Sequence, residues 1–323
     1  MLKFNKGKNQ EESMYKIGID VGGMSIKGGL VKNGEILHKI VVKTDAQGGE
    51  DILVRDITKL VNDLVIENNI KIDEVESVGI GFPGVVTSRG TVTCVNLGLH
   101  DSAIEEKLKN KFKNIRVAIG NDANVAALCE YAYGSMKGYN SGIMITLGTG
   151  VGGGIIINDK LVCGSNGIGA EIGHMIIGEN YYDCNCGNSG CFETFCSATA
   201  IIKYAQKLVE EGKETTISSK CDNDINNITA KIVFEEYRRN DKVAVEVIER
   251  FRKYLAIRLA NIINFVDPDV ICIGGGVSNA SDIVLDGLEC RIKKHLPFKE
   301  TKIADLVIAK FKNDAGILGA SAL

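Results

Sequence analysis

From Tyr15 to Val31 (YKIGIDVGGMSIKGGLV) β-branched residues alternate with glycine, the chain turns at Gly22-Gly23, and the pattern resumes. This predicts a β-hairpin with Asp20 at the end of its first strand. Glu35 to Val42 reads as a further strand. Glu50 to Asn69 carries Ile52, Leu53, Ile57, Leu60, Val61 and Leu64 at helical spacing, with one buried face. Val75 to Phe82 returns to strand and ends in the turn signal Gly81-Phe82-Pro83-Gly84. Val117 to Ile119 is a short strand, after which Asn121-Asp122-Ala123-Asn124 opens a helix. An Asn-Asp pair there makes a good N-cap, the plain structural role for Asp122.

The second half repeats the theme. Gly142 to Leu147 is an apolar strand that turns through Gly148–Gly154 into Ile155-Ile156-Ile157. Three amphipathic helical segments are predicted at Phe192 to Glu211, Ile228 to Arg239 and Lys242 to Phe265. Val270 to Ile273 is a buried strand ending at Gly274-Gly275-Gly276. A helix, a strand at Asp305 to Lys310 and a short helix at Ala315 to Leu323 follow. Strands interleaved with helices in each half predict an α/β protein of two similar lobes around a cleft. The expected division is a polar tail at 1–14, a first lobe at 15–136 and a second at 137–311. The helix within 312–323 is expected to return to the first lobe. No linker rich in proline or serine marks the boundary near Gly134 to Ser141, which rests on the repeated pattern.

The 323 residues suffice for two ordinary domains. A net charge of −3, with its basic residues dispersed, offers no footprint for nucleic acid or an anionic membrane. No apolar run reaches transmembrane length, and the segment MLKFNKGKNQEES lacks the apolar core of a signal peptide. The expected location is therefore the cytoplasm. There the ten cysteines stay reduced, which favours metal ligation over disulfides.

Chemistry concentrates between Gly169 and Glu193. His174, Cys184, Cys186 and Cys191 form H-x9-C-x-C-x4-C, three thiols and an imidazole, the donor set of a closed structural zinc site. Tyr181 to Cys191 has no apolar period, and Gly187, Asn188, Ser189 and Gly190 punctuate it with turns. Such a loop needs another source of ordering free energy, and structural zinc supplies roughly 10–16 kcal/mol in small peptides. Glu171 lies one helical turn before His174, and Glu193 two residues after Cys191. A metal holding His174 and Cys191 would draw both carboxylates toward one place. The second ring nitrogen of a metal-bound imidazole normally donates to an acceptor, here a substrate hydroxyl. Zinc in this reading braces a polar pocket and performs no chemistry. Cys196, within an apolar run, reads as a buried helix thiol.

Gly148, Gly150 and Gly153 satisfy G-x-G-x-x-G, but a strand follows where a dinucleotide motif requires a helix. Glycines between two strands instead let backbone N–H groups converge on an anion, with Thr146 and Thr149 adding hydroxyls. Asp20-Val21-Gly22-Gly23 offers a similar turn beside a carboxylate, and Gly274-Gly275-Gly276 admits a flat ring to the backbone. No P-loop motif exists. One such turn in each half suggests phosphates held between two lobes.

In order, the motifs are Asp20-x-Gly22-Gly23, Gly81-Phe82-Pro83-Gly84, Asn121-Asp122-Ala123-Asn124, Thr146 to Gly154, Glu171-x-x-His174, Cys184-x-Cys186-Gly187-x-x-Gly190-Cys191-x-Glu193 and Ile273-Gly274-Gly275-Gly276-Val277. This series resembles the ROK family of sugar kinases, and within it the bacterial glucokinases, from Tyr15 to the end of the chain. The resemblance implies a two-lobed actin/hexokinase-like ATPase fold with a structural zinc loop. It also implies ATP with Mg²⁺, and phosphorylation of a hexose, foremost glucose, at its 6-hydroxyl. Asn96, Asn121, Asp122, Glu171, His174 and Glu193 would hold the sugar, with Asp122 the catalytic base. Asp20 would hold Mg²⁺, while Gly22, Gly23, Thr146, Gly148, Thr149, Gly150 and Gly274–Gly276 would take the nucleotide. N-acetylmannosamine, fructose or a β-glucoside are the rival substrates within the family, and a homodimer or homotetramer the implied assembly. Sugar-sensing repressors of the family carry a DNA-binding module ahead of the first strand. Residues 1–14 are too few for one, and a non-catalytic sugar binder is disfavoured by the retained Asp20, Asp122 and glycine turns. Two positions depart from the pattern. Met24 replaces a threonine, so one hydroxyl contact to phosphate is lost or passes to backbone N–H groups, and Leu99 stands where many relatives carry tryptophan.

Overall fold

A computed structural model describes residues 14–323, so residues 1–13 of the expected polar tail lie outside the described residues. The chain divides into two compact units. The first gathers the described residues up to Met144, then Gly154–Ala170 and Lys310–Leu323; the second comprises Ile145–Gly153 and Glu171–Ala309.

The chain opens with strands β1 (Tyr15–Val21), β2 (Ser25–Lys32) and β3 (Glu35–Lys43), helix α1 (Gly49–Glu67) and strand β4 (Val75–Phe82). A small antiparallel sheet of β5 (Val85–Val86), β6 (Val92–Cys94) and β7 (Leu99–Ser102) follows, then α2 (Ile104–Lys111), β8 (Arg116–Asn121) and α3 (Asp122–Ala132). Next come β9 (Gly142–Leu147), β10 (Val151–Ile157) and β11 (Lys160–Leu161). The helices α4 (Glu193–Cys196), α5 (Ala198–Glu210), α6 (Ile217–Lys220), α7 (Ala230–Arg238) and α8 (Lys242–Val266) lead to β12 (Val270–Gly274). After it come α9 (Ser281–Val284), α10 (Leu288–Lys293), β13 (Asp305–Ile308) and α11 (Ala315–Ser321). Among the described residues the two larger sheets share one plan, β3-β2-β1-β4-β8 and β11-β10-β9-β12-β13.

In the first unit, strand alternation sends Ile17 and Ile19 to one face and Gly18 to the other. On the first face α1 buries Leu53, Ile57, Leu60, Val61 and Leu64, each worth roughly 1.5–3 kcal/mol. Leu60 seats over Gly28, where an added Cβ would lie 2.0 Å from its Cδ2. On the opposite face α11 crosses at backbone contact. A Cβ at Gly18 would lie 1.9 Å from the Ile317 carbonyl oxygen, and one at Gly79 1.8 Å from that of Ala320. Glu130, wholly buried on α3, accepts the Phe311 N–H at 2.7 Å and the Ser135 N–H at 2.8 Å, fastening the segment that leads into α11.

In the second unit α8 is capped by Asp241, whose carboxylate accepts the Ala244 N–H at 2.9 Å. Two details differ from the pattern-based reading. Phe192–Glu211 is not one helix: the chain breaks at Ser197, which is extended (φ −76°, ψ 164°) and accepts the Ala200 N–H at 3.0 Å. The cap offsets the interruption, worth about 1 kcal/mol. Second, β10 begins at Val151, so Gly152–Gly154 belong to a strand rather than to the turn. Gly154 is small because a Cβ there would lie 2.4 Å from the Ala127 Cβ. No helix among the described residues is long and apolar enough to cross a membrane.

Candidate active site

Asp20 near the end of β1 stands opposite Gly81, and Asn121 at the end of β8 stands opposite Phe82, both partners lying on the intervening β4. With neighbouring strands about 4.8 Å apart, the ends of β1 and β8 lie roughly 10 Å from each other. The three strands are parallel here, and open α/β sheets bind ligands beyond such carboxyl ends. Lys27 Nζ donates to Asp20 Oδ2 at 3.2 Å. The first turn of α11 presses close enough that a Cβ on Gly316 would lie 2.6 Å from Asp20 Cγ. The β1–β2 turn is held from β3's end: Thr44 Oγ1 donates to the Gly22 carbonyl at 2.7 Å and the Thr44 N–H to the Met24 carbonyl at 3.1 Å. The Met24 side chain is 88 % exposed.

Asn121 is the cap of α3. Its Oδ1 accepts the N–H groups of Ala123 (3.0 Å) and Asn124 (3.1 Å), while Nδ2 donates to the Gly84 carbonyl at 2.9 Å. Asp122 is therefore the first helical residue rather than the cap, exposed at a terminus where the helix dipole favours negative charge. Gly84 (φ +87°) admits the close approach of β6: a Cβ there would lie 2.4 Å from the Thr93 carbonyl oxygen. Asn121 thus meets the Gly84 corner from one side and the β6 residues Thr93 and Cys94 meet it from the other, while Asn96 is exposed in the turn that follows β6 (Val95–Leu97). Leu99 is fully buried in the core of this unit.

In the second unit the glycine turn is short. The Gly148 N–H donates to the Gly150 carbonyl at 2.9 Å, and Thr146 Oγ1 accepts the Gly152 N–H at 3.2 Å. Gly275 (φ +82°) sits against the end of β9, where a Cβ would lie 2.4 Å from the Leu147 carbonyl oxygen. Its lack of a side chain is thus a packing requirement, whereas a Cβ on Gly276 would meet open space.

The donor atoms of His174, Cys184, Cys186 and Cys191 all lie within 4.8 Å of one another. A tetrahedral ion with zinc's bond lengths separates its ligands by about 3.5–3.8 Å. Cys186 Sγ lies 3.6 Å from Cys191 Sγ, and Cys184 Sγ 3.6 Å from His174 Nδ1. Donor set and spacing suit zinc. Burial pushes the Cys191 thiol up to about 12 and raises Cys184, whereas the Asn188 backbone N–H brings Cys186 down to about 7. With Nδ1 turned to the thiols, His174 Nε2 lies 4.0 Å from Glu171 Oε2, across the tight turn Ile172–His174. Glu193 stands beside the cluster, its Oε1 3.6 Å from Cys184 Sγ.

Within the second unit the structure gathers Glu171, His174, Glu193 and the three cysteines. Within the first it seats Asn121 on the Gly84 carbonyl with Asp122 next in sequence, and leaves Asn96 exposed after β6. Sequence reading missed the supports. Arg250 stacks its guanidinium 4.5 Å from the Tyr204 ring centre, 4.8 Å from Phe195 and 5.3 Å from Tyr254, and donates to Asn180 Oδ1 at 2.7 Å. Asn180 Nδ2 and the Tyr182 hydroxyl both donate to the Thr194 carbonyl, so the segment entering the cysteine loop is clamped to α4. Burial raises the Tyr182 hydroxyl and pushes Tyr181 up to about 12. The only sequence signal was an excess of tyrosines near an arginine-bearing helix.

The ROK family model matches residues 16–323. The glucokinase of Halalkalibacterium halodurans is 36 % identical over 309 residues, covering 94 % of this chain and 93 % of that protein. An N-acetylmannosamine kinase of Haemophilus influenzae is 31 % identical over 310 residues, covering 95 % and 94 %. Among solved structures, a ROK family glucokinase from Streptomyces griseus in complex with glucose and AMPPNP superposes with a TM-score of 0.76 at 32 % identity, covering 95 % of this chain and 98 % of that one. The family model spans nearly the whole chain and the relatives match over almost their full length, and the chain belongs to the ROK family.

Proposed function

We propose that this protein is an ATP-dependent glucokinase that transfers the γ-phosphoryl group to the 6-hydroxyl of glucose, yielding the sugar phosphate and ADP. Phosphoryl transfer asks chiefly for positioning and charge neutralisation. Asp122 takes the proton of the attacking hydroxyl as its oxygen bonds to the γ-phosphorus and the bridge to ADP breaks. Asn96, Asn121, Glu171, His174 and Glu193 orient the ring. The turns at Gly22-Gly23 and Thr146–Gly150, with Gly274–Gly276, receive the nucleotide. Asp20 would hold Mg²⁺, which would neutralise phosphate charge, and His174, Cys184, Cys186 and Cys191 would hold a structural zinc. The ten free thiols fit a reducing cytoplasm, and a homodimer or homotetramer is the expected assembly.

The observation that carries this reading is His174, whose Nδ1 faces the thiols while Nε2 faces the Glu171 carboxylate. A metal on one ring nitrogen leaves the other as a donor of fixed direction, which a sugar hydroxyl needs and a purely structural site does not. The 31 % identity to an N-acetylmannosamine kinase supports that amino sugar as the second reading. An ADP-release assay over glucose, N-acetylmannosamine, fructose and a β-glucoside tests both, with glucose expected to give the highest kcat/KM. A different winner reassigns the substrate, and no ADP with any sugar removes the kinase reading. Asp122→Asn should lower kcat at least 1,000-fold while sparing sugar affinity; near-normal turnover would take the base role from Asp122.

A further inference from the structure

In the second unit a single carboxylate touches both the cysteine cluster and the glycine turn. Glu193 Oε2 accepts the Val151 N–H at 2.8 Å, at the point where the turn re-enters β10. Its other oxygen is 3.6 Å from Cys184 Sγ. Gly150 has no side chain to hold this carboxylate off: a Cβ there would lie 2.4 Å from Glu193 Oε2. The break at Ser197 adds two more ties, because the Ala198 N–H donates to the Gly148 carbonyl at 2.8 Å and Thr199 Oγ1 to the Thr149 carbonyl at 2.7 Å. At the other end of α4, the Thr194 N–H donates to the Cys191 carbonyl at 2.9 Å. The Gly148–Val151 turn is therefore tied to both sides of α4, by Glu193 at the end next to the cluster and by Ala198 and Thr199 of α5 beyond the other end.

We infer that Glu193 is a positioning residue through which occupancy of the Cys/His cluster sets the shape of the Gly148–Val151 turn, so that metal and nucleotide bind with positive coupling. The physical reason is geometric. Without the metal, the Cys184 side of the loop and the Glu193 carboxylate beside it lose a constraint that the packing of α4 does not supply. The Val151 N–H then loses its fixed partner, and the backbone donors that would meet phosphate lose their direction. A metal pins Cys191 two residues before Glu193 and removes that freedom. Coupling of this kind is reciprocal: whatever factor the metal adds to nucleotide affinity, the nucleotide must add to metal affinity. The inference rests on the reading that the Thr146–Gly150 turn receives a nucleotide.

Two binding measurements on the full chain, without sugar, test it. Calorimetry gives the AMPPNP Kd of zinc-loaded and chelator-stripped protein; competition with a chromophoric chelator gives the zinc Kd with and without saturating AMPPNP. The expected result is about a tenfold shift in both, equal within error, in the lower range of measured couplings. Glu193→Ala, which keeps all four ligands, should retain stoichiometric zinc yet weaken AMPPNP about tenfold and abolish the effect of AMPPNP on the zinc Kd. Glu193→Gln, which keeps an acceptor for the Val151 N–H, should restore most of both. If stripped protein does not refold, the two Glu193 variants in the loaded state decide. Unchanged AMPPNP affinity in Glu193→Ala, or a zinc Kd indifferent to AMPPNP in wild type, overturns the coupling. Wild type that binds no AMPPNP at all overturns the nucleotide reading itself, and the coupling with it.

Discussion

The two large sheets follow the same strand plan, yet their first turns are held by different means. The β1–β2 turn is secured by its own sheet, through the hydroxyl and N–H of Thr44. The β9–β10 turn has one internal side-chain tie, from Thr146, and is otherwise secured from outside the sheet by Glu193, Ala198 and Thr199. Those three stand on helices whose approach depends on a loop of three cysteines and a histidine. One turn is complete once its sheet has formed; the other inherits the order of a segment that buries little apolar surface. A shared topology therefore does not imply shared stability, and local hydrogen exchange can separate the two.

Three substitutions probe that contrast, in decreasing order of expected effect. Gly79→Val drives a side chain into the Ala320 carbonyl, 1.8 Å from the ideal Cβ. Neither backbone can yield cheaply, so a loss above about 4 kcal/mol is expected, read as a lower urea midpoint for the first unit. Near-native stability would mean that α11 is far less firmly seated than its backbone contact implies. Arg250→Met removes three close cation–ring contacts and the bond to Asn180, at roughly 0.5–1 kcal/mol each. The expected cost is about 2 kcal/mol, seen as faster exchange of the Cys184 and Val151 amides with the Ser25 amide unchanged. Equal acceleration at all three amides would erase the distinction between the turns. Met24→Thr alters an exposed side chain, so stability should move by less than about 0.5 kcal/mol. The restored hydroxyl should lower the KM for ATP a few-fold, and an unchanged KM would mean that the turn's backbone alone meets the phosphate.

Much of this was legible beforehand because it is written in local patterns. The alternation of Ile17, Gly18 and Ile19, the helical spacing from Leu53 to Leu64, and the H-x9-C-x-C-x4-C cluster each declare themselves within a short window. Gly152–Gly154 misled because glycine has no side chain with which to display strand alternation. The break at Ser197 was masked by apolar residues that keep helical spacing on both sides of it; only the capping serine announced it. The clamp around Arg250 joins residues 180, 195, 204, 250 and 254, a set with no common spacing. The ties from Glu193, Ala198 and Thr199 to the glycine turn were equally invisible, since all three of their partners in the turn are backbone atoms.

The seating of α11 has a consequence in time. Translation delivers β1 and β4 early, but the helix that covers the Gly18 and Gly79 face arrives only after the whole second unit has been made. Until then that side of the first sheet is covered only where α3 lays Val125 over Gly81 and Gly120, and Glu130 has no Phe311 amide to accept. A released chain truncated after Ala309 should thus hold a finished second unit and an unfinished first one, the reverse of the order in which they were begun.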